Sequence, residues 1–370
     1  MNPTGKKKII LVTLEGTINY GNRLQHYALQ RTISNVGCIV DSLMVRPQKP
    51  WPLTRRVKHK MKELLAYGGA EKFKPAVSVS NRARKILRFN EQYLSHMIRI
   101  PVAEVRQTDW SGFDFAVTGS DQVWHNWHTK EIPDELSFYY LEFVDESKRV
   151  SYAPSFGFTA FSPEDIEQHR RGLMGMSALS CREREGCELI RELTGRDAQK
   201  VLDPTLLLTA DGWSEIEKKP SFKLADKYLL QFFLGDVTAE YRAEINRIAA
   251  VRGLQILNIN DKTDPKHYAI GPDEFVWLVH HADTVCTDSF HASVFSISFT
   301  RNLRIFRRRQ KGCEDMFGRL HDLLEPLGLM GLVYGEGDGL STSLSEDAKT
   351  YLARERDASL TYLKKSLNAE

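Results

Sequence analysis

"KKIILVTLEGTINYGNRLQHYALQRTISNVGCIVDSLMV", residues 7–45, is the stretch whose reading decides the fold. Residues 7–14 are apolar and β-branched and read as a strand. Residues 15–22 read as a loop, and 23–37 as an amphipathic helix with Leu24, Ala28 and Ile33 on one face and Gly37 as its stop. Residues 38–45 return to a β-rich run. The spacing predicts a βαβ unit, in which a helix joins two parallel strands and ligands gather at the strands' carboxyl ends.

The same alternation continues outward. Strand-like runs lie at 113–121 ("FDFAVTGSD"), 149–157 ("RVSYAPSFG") and 200–209 ("KVLDPTLLLT"), and "SALSCREREG" (177–186) leads into a helix. A second series restarts with "KYLLQFFLG" (227–235), a helix ending at Gly253 and "LQILNIN" (254–260). It continues with a helix at 271–282, "DTVCTD" (283–288) and "LRIFRRR" (303–309). "SLSEDAKTYLARERDASLTYLKKSL" (343–367) is a last helix with a Ser-x-x-Asp start. This predicts an α/β protein with an N-terminal Rossmann-like domain (1–208), a second one (209–342) and a C-terminal helix (343–370). Residues 46–109 read as a basic helical insertion in the first domain.

Composition excludes several classes. A chain of 370 residues with 42% hydrophobic and 27% charged residues is that of a globular protein large enough for two cores. The apolar run near the start reads as a first strand rather than a signal core, and no stretch approaches the roughly 18 apolar residues of a membrane span. The five cysteines (38, 181, 187, 286 and 313) include no CxxC. Neither a disulfide framework nor a metal site is expected, and a cytoplasmic location is. The net charge of +3 conceals an asymmetry, for residues 46–99 carry 14 Lys/Arg against 3 Asp/Glu. The cations fall in 55–62 and 81–99, the latter with Ile86, Phe89, Tyr93 and Met97 at helical spacing. Such a segment is either a solvated helical insertion or a peripheral contact with an anionic membrane through 55–99. No nucleic-acid motif accompanies the charge.

Four stretches carry candidate chemistry. Asn19, Tyr20, Gly21 and Asn22 sit where a strand gives way to a helix, as an anion cradle or a plain turn and cap. Gly119, Ser120, Asp121, Gln122 and Trp124 end a strand with a mixture suited to a sugar, or else with an N-cap and a core indole. Arg182 can fork onto a carboxylate or phosphate, or lie on the surface. With Asp288 or Ser289 as N-cap, His291 falls in a helix's first turn. There the helix dipole lowers its pKa and favours an anion nearby, unless the ring merely packs.

Taken in order, "NYGNRLQHYALQ", "GSDQVW", "SYAPSFG", "CREREG", "VLDPTLLL", "YLLQFFLG" and "TDSFHASVFSI" resemble the polysaccharide pyruvyl transferase family over about residues 9–310. The resemblance implies a GT-B-like fold, two Rossmann-type domains facing a cleft. It implies transfer of pyruvate from phosphoenolpyruvate to two sugar hydroxyls, giving a ketal and phosphate with no further cofactor. The expected acceptor is a glycan or polyprenyl-diphosphate-linked oligosaccharide, consistent with a place at the inner leaflet. His291 matches the family's histidine and Arg182 its arginine. Donor contacts are then expected from Arg182, Asp288, Ser289, His291 and Asn19–Asn22. Acceptor contacts are expected from Gly119–Gln122, Trp124, Ser155 and Phe156, with Asp121 as candidate base. Ser289 departs from the pattern, since many members carry arginine there; Arg301, Arg304, Arg307 and Arg308 are the nearest replacements in sequence. Two other readings stay open, a nucleotide-sugar glycosyltransferase and a non-catalytic carbohydrate-binding relative.

Overall fold

A computed structural model describes residues 5–14, 16, 19–46, 73–94, 96–125, 135–309 and 317–369. The first lobe holds a five-stranded sheet in the order β3-β2-β1-β4-β5. Its strands are β1 (Lys8–Val12), β2 (Ile39–Arg46), β3 (Met97–Pro101), β4 (Phe115–Thr118) and β5 (Arg149–Ser151). All pair in parallel, with Ile9 opposite Val40 and Phe115. A parallel pair, β6 (Ser180–Cys181) and β7 (Gln199–Lys200), follows. The second lobe has a parallel four-stranded sheet, β11-β10-β8-β9, from β8 (Tyr228–Phe232), β9 (Gln255–Asn258), β10 (Thr284–Thr287) and β11 (Asn302–Ile305).

Seven helices matter for the site: α1 (Tyr20–Asn35), α2 (Phe73–Tyr93), α3 (Arg184–Thr194), α4 (Pro272–His281), α5 (Phe290–Ser298), α6 (Gly318–Leu324) and α7 (Glu346–Ser366). Helix α1 begins at Tyr20, three residues before the expected start at Arg23, because the Asn19 side chain accepts from the Gly21 N–H and caps it there. Its burial also exceeds a single face. Every residue from Tyr20 to Gln30 is buried, since the helix lies between the first sheet and the second lobe. Helix α7 crosses back to the first lobe. Leu363 and Leu367 join a core with Ile9 and Leu11, and the Tyr362 hydroxyl donates to Ser151 O at 2.8 Å.

In the described part of the basic segment, helix α2 and strand β3 belong to a crossover of the first sheet, with Met97 paired to Ser42 in a strand rather than on the helix. Ile86 and Phe89 are fully buried against α1 and second-lobe residues, each burial stabilising by roughly 1.5–3 kcal/mol. Arg82 completes the join. Its guanidinium donates to Tyr268 O, Ile259 O and Asn260 Oδ1 at 2.7–2.9 Å and lies 3.4 Å over the Tyr268 ring. The apolar stripe expected to meet a membrane is therefore occupied by protein. The cations at 55–62 lie outside the described residues.

In each sheet the strand order reverses beside the central strand, between β1 and β4 and between β8 and β10. Such switch points open a crevice at the strands' carboxyl ends. The loops leaving β1, β4, β8 and β10 all converge there.

Candidate functional site

Asp121 follows β4 at the first switch point, with its backbone in the left-handed region (φ 66°). Gly119 precedes it at φ 127°, where a Cβ would collide with the Tyr152 carbonyl, so the turn requires glycine. Gln25 of α1 ties the turn down, accepting from the Ser120 N–H at 3.0 Å and donating to Thr13 Oγ1 at 2.7 Å. Asn22 donates to Asp121 Oδ2 at 3.4 Å.

At the second switch point Ser289 caps α5, its hydroxyl accepting from the Ala292 N–H at 3.4 Å. Asp288 is spent on the neighbouring loop, accepting from the Leu234 and Gly235 N–H groups at 2.7 and 2.8 Å. His291 lies in the first turn of α5 and packs across the cleft on Gly21, where a Cβ would collide with the imidazole.

Between the two points sits a buried charged cluster. Arg182, just ahead of α3 rather than within it, donates from Nε to Glu183 Oε1 and from Nη1 to Asp203 Oδ2, both at 2.8 Å. Asp121 Oδ1 lies 3.7 Å from the same Nη1 and 4.0 Å from Arg319 Nη1, and the Arg182 guanidinium lies 5.1 Å over the Phe290 ring. Asp203 also accepts from the Thr205 N–H and hydroxyl, and its Oδ2 is 3.8 Å from His291 Nε2. Among the described residues, Arg182 Nη2 and His291 Nε2 are buried without hydrogen-bond partners.

These contacts set the protonation states. Burial, the largest influence on Asp121, pushes its carboxyl up, but the charges of Arg182, His291 and Arg319 together hold it below the usual range. Asp203 follows the same balance, with His291, Arg182 and the Thr205 bonds outweighing burial. Burial lowers the His291 pKa more than Asp203 and Asp121 raise it, so the resting imidazole is neutral. Burial beside Arg182 likewise brings Arg319 down to about 10. The arrangement thus holds ionised carboxylates, fixed guanidiniums and one neutral imidazole.

Several expected contacts lie elsewhere. Trp124 is fully buried, 5.3 Å from the Tyr140 ring and 5.2 Å from Phe156, so the indole and Phe156 are core and not a sugar-facing wall. Ser120 and Ser155 are buried too, and the Gln122 amide packs on Gly157. Tyr20 is removed from the donor side, buried against Phe275 and Phe232 in the core between the lobes. Of the four arginines considered near Ser289, Arg308 approaches the site, with Nε 3.6 Å from Asp288. Arg304 is buried against Glu244 and Gly337 O, Arg307 pairs with Glu336, and Arg301 donates to Phe299 O.

Arg319, Asp203 and Glu183 were not expected as site members. Arg319 stands in no motif of the sequence, and only tertiary packing brings it to Asp121. Two small cavities flank the cluster, one bounded by Ser155, Gly157, Glu183 and Arg319, the other by Arg182, Asp203, Phe290 and Arg319. A larger one of about 420 Å³ lies where the chain passes between lobes, at Leu208–Ala210 and Thr342–Leu344, away from these charges. We place the site at the cluster, where unpartnered polar atoms and both switch points coincide. Among the described residues, one His/Asp/Glu/Cys group has metal-compatible spacing, Glu217–His280–His281, and it lies at the opposite end of the second sheet. None of the described helices is long and apolar enough to cross a membrane.

Comparison with known proteins shows the family and the fold. Residues 19–307 match the family described as polysaccharide pyruvyl transferase. No curated protein matches significantly. Among solved structures, the UDP-GlcNAc 2-epimerase from Methanocaldococcus jannaschii superposes with a TM-score of 0.50 at 14% identity, covering 95% of this chain and 92% of that one. The Escherichia coli ADP-heptose lps heptosyltransferase II gives 0.38 at 12% identity, with 96% and 98% covered. The two facing parallel-sheet lobes, which superpose on the epimerase over most of both chains, are a GT-B-like fold.

Proposed function

This chain belongs to the polysaccharide pyruvyl transferase family, and from that premise we propose that the cluster between its lobes transfers pyruvate from phosphoenolpyruvate to a sugar hydroxyl pair, forming a ketal and releasing phosphate. The observation that carries the reading is the convergence of Asp121, Arg182 and His291 from separate sheets and loops into one buried set.

The donor is a small trianion, and the cluster of Asp121, Glu183 and Asp203 against Arg182 and Arg319 is not itself strongly cationic. We therefore assign donor charge to the free Nη2 of Arg182, to Arg308 in place of the missing arginine at 289, and to the N-termini of α1 and α5. Gly21 and Asn22 bring α1 close. Asn19, Ser289 and Asp288 contribute by holding these termini in place. The anion raises the His291 pKa, and the imidazolium protonates the methylene carbon to leave an oxocarbenium-like C2. One sugar hydroxyl adds to C2, the C–O bond to phosphate breaks, and the second hydroxyl closes the ketal. The two hydroxyl protons end on the methyl group, through His291, and on phosphate. Asp121, ionised at rest, accepts the attacking hydroxyl's proton and hands it on to His291 or to the departing phosphate, returning to its ionised form. Gly119–Gln122 and Ser155 shape the acceptor side from behind, with Trp124 and Phe156 as its core support. The acceptor is a glycan or lipid-diphosphate-linked oligosaccharide, met in the cytoplasm or at the inner leaflet.

Phosphate release from phosphoenolpyruvate that depends on added glycan tests the reading. Release of nucleotide from a nucleotide sugar, with indifference to phosphoenolpyruvate, would replace it by glycosyl transfer.

A further inference from the structure

Asp203 sits in the strand of chain that leaves the first lobe, and its two oxygens are used differently. Oδ1 caps the turn at 204–206 through the Thr205 N–H and hydroxyl. Oδ2 accepts from Arg182 Nη1 at 2.8 Å and faces His291 Nε2 at 3.8 Å. That nitrogen is buried and has no hydrogen-bond partner among the described residues, and Asp203 is the carboxylate within ion-pair reach of it. The opposite edge of the ring, Nδ1, lies on Gly21 in the first turn of α1. A buried N–H without an acceptor costs about 1–3 kcal/mol, so the imidazole gains by directing a proton at Oδ2. An approach of about 1 Å converts the contact to a hydrogen bond.

We propose that Asp203 is a positioning residue for His291: its carboxylate holds a proton on Nε2, fixes the ring's orientation, and leaves Nδ1 as the nitrogen that meets substrate on the α1 side of the cleft. The proposal deepens the reading above, since it takes His291 as the proton donor. Other charged groups face the ring too. Asp121, Arg182 and Arg319 surround it, while Asp288 on its own loop is held by the Leu234 and Gly235 amides. The first turn of α1 offers Gly21 and Asn22, neither titratable. Asp203 differs from Asp121 in pointing at a ring nitrogen, and from Arg182 and Arg319 in sign. Because Asp203 spans an arginine of the first lobe and a histidine of the second, it also couples the imidazole's orientation to the relation of the two lobes.

The test needs no substrate, so its outcome is separable from whether the protein transfers pyruvate. Long-range ¹H–¹⁵N NMR of histidine-labelled full chain, assigned with His291→Gln, reads tautomer and pKa. The wild type is expected to carry its neutral proton on Nε2; a proton on Nδ1 overturns the proposal whether or not any variant folds. Asp203→Asn is expected to lower the His291 pKa by about one unit or more, the usual reach of a lost neighbouring charge. Thr205→Val removes a bond to the carboxylate but leaves its charge, and is expected to leave that pKa in place. An unchanged His291 pKa in folded Asp203→Asn contradicts the proposal. Where turnover is measurable, the alkaline limb of its pH profile is expected to move down with the same shift; a loss of rate with the limb unmoved assigns Asp203 to structure alone.

Discussion

Gly21 lies directly under the imidazole of His291, so that the first turn of one lobe's leading helix is the seat for the other lobe's histidine. A Cβ at 21 would strike Nδ1, Cγ and Cε1 of the ring, near its root rather than at a flexible tip. Within α1 the exchange itself favours the helix by up to about 1 kcal/mol. Gly21→Ala is therefore expected to leave the melting temperature within a few degrees of wild type while turnover falls by roughly 100-fold, the scale of lost general acid–base work. A thermal melt beside a phosphate-release assay reads both, and full activity in this variant removes the contact from the mechanism.

Stability carries its own signature of the buried imidazoles. His26, bonded to Ser42 Oγ at 2.8 Å, and His291 are both held below the usual histidine range, chiefly by burial. Below about pH 6.5 the unfolded chain takes up protons on both while the folded protein does not. Stability is accordingly expected to be level above about pH 7.5. It should fall on acidification through pH 6.5 by up to roughly 1.4 kcal/mol per pH unit for each histidine. Asp121 and Asp203, depressed in the fold, add a further loss below about pH 4. Urea unfolding at pH 7.5, 6.0 and 5.0 follows this; midpoints that do not move contradict neutral burial.

Arg82 predicts how firmly the lobes are joined. Replacing it by alanine takes the donor from Ile259 O, one of several donors from Tyr268 O, and empties a site between the Tyr20 and Tyr268 rings. A loss of about 1–3 kcal/mol is expected, the cost of a buried acceptor left without its donor. Calorimetry is expected to show the variant's single transition lowered or split, and an unchanged trace would show that the join does not depend on Arg82.

Membrane contact through 55–99 stays a proposal, and the fold narrows its form. With Ile86 and Phe89 buried, attraction of 81–99 to anionic vesicles is expected to be electrostatic. It is expected to vanish as salt is raised from about 0.01 to 0.3 M, where the screening length drops well below 10 Å. Sedimentation with vesicles that survives high salt would point to an apolar insertion elsewhere.

Sequence pattern alone exposed the two parallel-sheet lobes, because strand and helix periods alternate cleanly and Gly119, Gly235 and Asp288 mark the ends of strands beside the switch points. It also placed His291 in a first turn, whereas Arg182, expected early in a helix, lies just ahead of one. What it could not convey was burial in three dimensions. Trp124 at a polar strand tip reads as exposed, yet its ring packs on Tyr140 and Phe156. The stripe on α2 reads as an outward amphipathic face, yet it fits the second lobe. Arg319 and Asp203 carry no local signature, since their role comes from residues far apart in sequence, Arg319 with Asp121 and Asp203 with His291, meeting at one point.

The most direct measurement incubates wild type and His291→Ala with phosphoenolpyruvate and a glycan acceptor in D₂O and weighs the product. Wild type is expected to add one pyruvate less one water to the acceptor, with one deuterium in the new methyl group and one phosphate released per transfer. His291→Ala is expected to form this product at least about 100-fold more slowly. Ketal formation by His291→Ala at the wild-type rate would remove His291 from the proton transfer.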